Sequence, residues 1–297
     1  MCGIAGLFLK DDRLQPDLGA MLAGMLGTLS DRGPDSAGFA VYGREIAERI
    51  KITVRGAKQF DFDQVLRDLS VVLGAPLAHE IHDTHFVIAV PASQEAAARA
   101  KLAGIADIAV VGSGRRMEIF KEVGRPDQVA QRFGLQQMAG THAIGHTRMA
   151  TESAVTTAGA HPFTTGPDQC LVHNGSLSNH CAVRRTLVQH GLNFQTDNDS
   201  EVAAGYLTWK LDQGNSLNQA LESSLAVLDG FYTFVVGTES GFGVLRDPIA
   251  CKPALMAETD RWVAFGSEYR ALVDLPGIDA ARVWEPEPAK AYRWERH

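Results

Sequence analysis

The sequence predicts a layered α+β architecture built on antiparallel hairpins. Short apolar runs of strand length recur from Gly3–Leu9 to Trp262–Gly266, they fall into clusters, and pairs of helix-patterned segments separate the clusters. The 297 residues suffice for a large core. Apolar content of 45% and charged content of 21% are those of a globular chain. The net charge of −7, with no basic run, makes nucleic acid an unexpected partner. No segment approaches the roughly 20 apolar residues that span a bilayer. The start, MCGIAGLFLKDD, lacks the basic region and cleavage site of a secretory signal. Cys2, Cys170, Cys181 and Cys251 are far apart and form no CxxC, which suits a reducing compartment. They give no basis for an iron–sulfur or cysteine-rich zinc site. A cytoplasmic protein is expected.

In chain order, Gly3–Leu9 reads as a buried strand. Residues 16–30 place Leu18, Met21, Leu22, Met25, Leu26 and Leu29 at helical spacing, with Pro16 in the first turn. The segment 31–38 (DRGPDSAG) is dense in turn residues, and 39–42 is a strand. Alternating Ile50, Ile52 and Val54 give a strand, 62–73 a helix, 85–90 a strand, and 93–103 a helix opened by Ser93. This β-α-β-α block, about 50–105, reads as a compact inserted lobe. Residues 108–112 and 117–123 read as paired strands around the turn 113–116, followed by a short helix at 126–133. A strand ending in AIGHTR (143–148) leads to a loop through Ala160-His161-Pro162. Residues 170–173 form a strand closing on Asn174-Gly175, a hairpin-type dipeptide. Helices follow at 178–190, 199–211 and 216–228, then strands at 231–237, 243–246 and 262–266. The tail from Arg282 is expected to wrap the surface.

Cys2 follows the initiator methionine directly. Once Met1 is removed, one residue carries both a thiol and a free α-amine. The amine titrates near 7.7–8.0 and can act as a base, while the thiol is nucleophilic as thiolate. The competing reading is a small apolar residue entering a strand. Hydrolysis of glutamine's amide would also need oxyanion donors and ionic clamps for the α-carboxylate and α-amine. Asn174 and Gly175 can supply a side-chain amide and a backbone N–H, or simply a tight turn. Arg148 offers a planar fork for a carboxylate, or is structural. Asp199 can pair with an ammonium, cap a helix, or do both.

MCGIAGLF, DRGPDSAG, GHTRMAT (145–151), AHP (160–162), HNG (173–175) and NDSE (198–201) occur in this order, and Arg246-Asp247-Pro248 through Gly266-Ser267-Glu268 follow. The set resembles the class II glutamine amidotransferase domain, the N-terminal-nucleophile type, over about 2–49 and 108–270. The resemblance implies a four-layer αββα sandwich of two antiparallel sheets. It implies a domain at 2–275 with the insertion at about 50–105, and a surface tail at 276–297. It further implies Cys2 as nucleophile activated by its own amine, Asn174 and Gly175 as oxyanion donors, and Arg148 and Asp199 as clamps for the α-carboxylate and α-amine. Arg32 would support the N-terminus, and His161 would shape its loop with substrate contact. Position 149 is Met where many relatives carry a shielding aromatic. The lobe's role is not carried by the resemblance.

His79, His82 and His85 recur at equal spacing, but Asp83 and Thr84 between them suggest a polar turn, so no metal is expected. Gly112-Ser113-Gly114 lacks the third glycine and the helix of a nucleotide loop. Little chain follows the amidotransferase stretch, so the ammonia acceptor is expected on separate synthase subunits. The wording GHTRMATES and the lobe most resemble glutamate-synthase-like split systems such as N-methylglutamate synthase. No cofactor is expected in this chain, and FMN and iron–sulfur centres would sit on partners. Two other readings are a non-catalytic assembly subunit and an N-terminal-nucleophile hydrolase acting on another amide.

Overall fold

Gly3–Leu9 is apolar on both faces because both are covered: Ile4 and Phe8 point one way, Ala5, Leu7 and Leu9 the other. In the computed structural model, which describes residues 2–150 and 154–296, this strand (β1) lies inside a seven-stranded antiparallel sheet. Met1, whose removal the cysteine chemistry requires, and Thr151 of GHTRMAT lie outside the described residues. The chain continues through α1 (Leu18–Thr28), β2 (Ser36–Tyr42), β3 (Arg49–Gly56), α2 (Phe62–Leu73), β4 (Ala78–His82) and β5 (His85–Pro91). Next come α3 (Glu95–Ala103), β6 (Ile108–Gly114), β7 (Met117–Val123), α4 (Pro126–Arg132), β8 (His142–Arg148), β9 (Phe163–Gly166) and β10 (Gln169–Leu177). The helices α5 (His180–Gln189), α6 (Asp199–Asp212) and α7 (Leu217–Ser224) follow together. The strands β11 (Gly230–Gly237), β12 (Gly241–Arg246), β13 (Leu255–Glu258), β14 (Trp262–Gly266), β15 (Arg282–Trp284) and β16 (Ala291–Glu295) complete the chain.

The seven-stranded sheet runs β15-β13-β14-β1-β8-β2-β7, and a five-stranded sheet runs β16-β12-β11-β10-β9, with antiparallel pairing throughout both. Leu18, Leu22 and Leu26 of α1 and Val129 of α4 cover one face of the first sheet against Leu7, Phe39 and Ala143. Its other face sends Ile4, Phe8 and Ile144 against Val172, Val235 and Phe242 of the second sheet. The second sheet's outer face packs Leu171, Phe234 and Val236 under Val202, Leu207 and Leu221 of α6 and α7. The order of layers is helix, sheet, sheet, helix, as the resemblance implied.

The lobe is a four-stranded sheet, β4-β5-β3-β6, packed under α2 and α3 through Ile52, Val54, Phe86 and Ile88 against Val65, Leu69, Ala98 and Leu102. Its last strand corrects the expected pairing of 108–112 with 117–123. The strand β6 pairs with β3, whereas β7 pairs with β2. The handover is possible because Asp168 satisfies the turn itself: its carboxylate accepts from the N–H groups of Arg115 (2.6 Å), Arg116 and Met117 (both 3.0 Å). Three further expectations are corrected. Helix α3 opens at Gln94 without a side-chain cap, so Ser93 does not cap it. Ser36-Ala37-Gly38 belong to β2, zipped between β7 and β8, and not to the loop. The tail does more than wrap the surface, because β15 and β16 form an edge strand of each sheet, with Trp284, Tyr292 and Trp294 packed on the inter-sheet core.

Candidate active site

Cys2 sits half-buried where β1 begins, and two long side chains converge on its carbonyl oxygen. Arg32 donates from Nε at 3.0 Å and Asn174 from Nδ2 at 3.3 Å. Arg32 is buried and pairs with the Glu268 carboxylate, which Arg270 also contacts. Burial pushes the Glu268 carboxyl up, but the hydrogen bond and charge of Arg32, with those of Arg270, outweigh it and hold it below its usual value. Next to Cys2, Ile4 exchanges two hydrogen bonds with Ser267, through the Ser267 Oγ (2.9 Å) and the Ser267 N–H (3.0 Å). The first residues of the chain are therefore held by the loop after β14.

The antiparallel register sets Gly3 opposite Thr147, so the last residue of β8, Arg148, falls beside Cys2. The Cys2 thiol lies 3.8 Å from the Met149 carbonyl oxygen. The loop before β2 fixes this end of β8: Asp35 donates its N–H to the Arg148 carbonyl (3.1 Å) and accepts from the Ala150 N–H (2.8 Å). Only glycine fits at position 33, since a Cβ there would lie 2.5 Å from the Arg148 nitrogen. That contact explains the glycine of DRGPD.

Asn174-Gly175 does not form a tight turn. It lies within β10, where Asn174 pairs with Thr233 and Gly175 with Tyr232 of β11. Cross-strand pairing overrides the local turn preference of the dipeptide, and the glycine is needed because a Cβ would fall 2.0 Å from the Phe231 carbonyl oxygen. Asp199 does not cap its helix either. Asn198 does so by accepting from the Ser200 N–H at 2.9 Å. The Asp199 carboxylate instead accepts from the Leu177 N–H at 2.9 Å, three residues beyond Asn174 on β10.

Between these groups lies a buried array that sequence reasoning missed. His161 contacts the Ser200 hydroxyl through Nε2 (2.9 Å), and His173 contacts the same hydroxyl through Nδ1 (2.8 Å). His146 stacks on His161 with centroids 4.0 Å apart and contacts the His173 carbonyl through Nε2 (3.0 Å). Burial pushes all three imidazoles below the usual histidine range, His146 down to about 3. The array consists of neutral rings that join AHP, HNG and NDSE into one packed unit. The signal was present, since each member sits inside a quoted motif beside a residue chosen for its chemistry.

The structure thus brings Cys2, Arg32, Arg148 and Asn174 together. It ties Asp199 and Gly175 to them through β10, and it places His161 behind, on Ser200. The three lobe histidines take separate partners: His79 the Leu77 carbonyl, His82 the Phe133 carbonyl and His85 the Thr84 hydroxyl. Among the described residues, no group of three His, Cys, Asp or Glu is placed to hold a metal, and no helix is long and apolar enough to cross a membrane.

A family model described as a glutamine amidotransferase domain matches residues 146–274, which include Arg148, His161, Asn174, Gly175 and Asp199. Over 297 residues the chain is 60% identical to the glutamine amidotransferase-like protein GlxB of Rhizobium meliloti, covering 99% of this chain and 98% of that protein. It is 35% identical to a Methanothermobacter thermautotrophicus protein provisionally named a glutamine amidotransferase, covering 99% and 100% of the two. Among solved structures, an allosteric regulatory enzyme of purine biosynthesis aligns over 99% of this chain with a TM-score of 0.65 at 20% identity. The glutamine phosphoribosylpyrophosphate amidotransferase of B. subtilis aligns with a TM-score of 0.61 at 20% identity. The fold is that of these solved structures. The chain spans about half the length of both solved structures, 47% and 49%.

Proposed function

The chain belongs to the glutamine amidotransferase family, and from that premise we propose that it hydrolyses glutamine to glutamate and ammonia through a thioester on Cys2. The observation that carries this reading is the convergence of Asn174 and Arg32 on the Cys2 carbonyl, with Arg148 beside it at the end of β8.

In the proposed reaction the chain begins at Cys2, whose amine takes the thiol proton. The thiolate adds to the side-chain carbonyl carbon of glutamine, and the negative charge on the oxygen is met by the Asn174 amide and the Gly175 N–H. The carbon–nitrogen bond breaks as the amine returns the proton, and ammonia leaves. Water then attacks the thioester, releasing glutamate and restoring the thiol. Arg148 takes the substrate's α-carboxylate and Asp199 its ammonium. Arg32 and Glu268 fix the Cys2 carbonyl, so that the thiol swings about a stationary backbone. His161 supports the site from behind through Ser200. Met149 takes the place of a shielding aromatic.

The ammonia passes to a separate glutamate-synthase-like subunit that carries FMN and iron–sulfur centres. Within that class we favour formation of N-methylglutamate from glutamate and methylamine. The GHTRMATES stretch together with the lobe supports the class.

A glutaminase assay on the purified native complex tests the reading. Wild type should turn over glutamine, Cys2→Ala should not, and Arg148→Ala should raise KM. Equal, negligible turnover of wild type and Cys2→Ala would sink it in favour of an assembly subunit, and an unchanged KM for Arg148→Ala would favour another amide. Mass spectrometry should find the active chain starting at Cys2, because an acylated cysteine nitrogen is not a base. Identifying the companion subunits and product tests the acceptor.

A further inference from the structure

The inserted lobe and the sandwich enclose a cleft of about 440 Å³, within the roughly 300–1,000 Å³ usual for small-molecule sites. Arg55 of β3, Arg99 of α3 and Ser113 of β6 line it from the lobe, and Lys121 of β7, Phe163 of β9 and Glu201 of α6 from the sandwich. Cys2, Arg32, Arg148, Asn174 and Asp199 do not line it, so it is separate from the glutamine site.

Its polar groups are unevenly satisfied. The carboxylates in its wall are already engaged. Glu201 accepts from the N–H groups of Gln195 and Thr196 and from the Thr196 hydroxyl, each at 2.7 Å, and Glu95 accepts from Arg99 Nε at 2.9 Å. Arg55 is not so matched. Its Nε is buried without a hydrogen-bond partner, and its nearest carboxylate oxygen, on Glu122, is 3.7 Å away and shared with Arg132. Burial, with the charge of Arg55 adding to it, pushes the Lys121 ammonium down to about 8, although Glu201 opposes this. Lys121 spends its N–H groups on the carbonyl oxygens of Ala158, Ala160 and Pro162, so Arg55 is the cation left with too little negative charge beside it. Arg99, bonded through Nε to Glu95 and through a terminal nitrogen to Ser113, lies on the same wall, which also offers the apolar surfaces of Val111 and Phe163.

We propose that this cleft is a second small-molecule site, separate from the glutamine site, that takes a small organic anion by a carboxylate seated on the Arg55 and Arg99 guanidinium groups. Guanidinium forks suit a planar carboxylate, and the apolar wall suits a short carbon skeleton. The lobe, which supplies both arginines, thereby acquires a role as one jaw of a binding site. The proposal does not depend on glutamine hydrolysis.

Isothermal titration of the full-length protein with succinate, inorganic phosphate and methylammonium tests it. Succinate should bind saturably. Its affinity should fall at least about tenfold in Arg55→Met/Arg99→Met, fall less in Arg55→Lys/Arg99→Lys, and be unchanged in Arg148→Ala and Cys2→Ala. The Lys pair keeps the charge and guards against misreading a folding defect. Loss of binding in Arg148→Ala would assign the succinate to the glutamine site and overturn the proposal. So would binding of phosphate or methylammonium without succinate, equal binding by the Met pair, or no saturation by succinate up to about 10 mM.

Discussion

Asn174 reaches across from one sheet to hold Cys2 at the start of the central strand of the other: its Nδ2 donates to the Cys2 carbonyl oxygen at 3.3 Å. A side chain in this position fixes the Cys2 backbone and, on the proposed mechanism, stands ready for charge that develops next to the thiol. Asn174→Ala should lower kcat for glutamine hydrolysis by about 10²–10³ with little change in KM, the pattern of a donor that acts in the transition state. Steady-state kinetics checks this. A raised KM with unchanged kcat would make Asn174 a substrate-binding group instead.

The second tether on that carbonyl, Arg32, is held by Glu268, which is 30% exposed in its side chain. Arg32→Met should therefore cost only about 1–2 kcal/mol of stability while lowering kcat. Glu268→Gln should show a milder form of both effects, because Arg32 keeps its bond to Cys2. The double variant should resemble Arg32→Met alone. Urea midpoints and turnover for the four proteins form the cycle that checks it. Additive losses would mean that the two residues act separately.

The parts of this protein legible in its sequence were those with a local signal. The two-sided apolar run of β1, the spacing of Leu18, Leu22 and Leu26, and the motif order each pointed to their structural context. Asn174-Gly175 misled because a dipeptide's turn preference is weak beside eight paired residues of β10 and β11. The separate destinations of β6 and β7 depend on Asp168, some fifty residues away, whose carboxylate satisfies their turn. The edge strands β15 and β16 are short and partly polar, and only their partners β13 and β12 define them. The histidine array was hidden because each ring was read beside its own motif, while Ser200 joins His161 and His173 only in space.

The buried histidines set the acid limit of stability. Burial holds His85, His142 and His146 at about 3, while the unfolded chain binds protons near 6.5. Between these values the unfolded state carries more protons, so stability rises with pH through the window and is lost as pH falls from about 6.5 toward 3. Each such group contributes up to about 1.4 kcal/mol per pH unit there. Urea unfolding from pH 7 to pH 4 should show a steep fall in midpoint, and His142→Gln should be shallower. Equal slopes would show that carboxylate protonation governs the acid limit.

Lys121 grips the AHP loop from beneath, its ammonium bonded to the carbonyl oxygens of Ala158 (3.4 Å), Ala160 (2.9 Å) and Pro162 (3.2 Å), on both sides of His161. Lys121→Met removes the grip and keeps the bulk, so glutamine turnover should fall about tenfold through a looser His161–Ser200 contact. Stability should respond in the opposite sense at high pH. The folded lysine sheds its proton near 8, pushed down by burial and Arg55 against the pull of Glu201, while the unfolded one keeps it to about 10.5. Over that window the unfolded state holds the extra proton, so the lysine protein gains stability relative to Lys121→Met as pH rises, by at most about 3 kcal/mol. Paired urea titrations at pH 7.5 and pH 10 measure the difference. A stability difference that stays constant or moves the other way would mean that Lys121 remains charged in the fold.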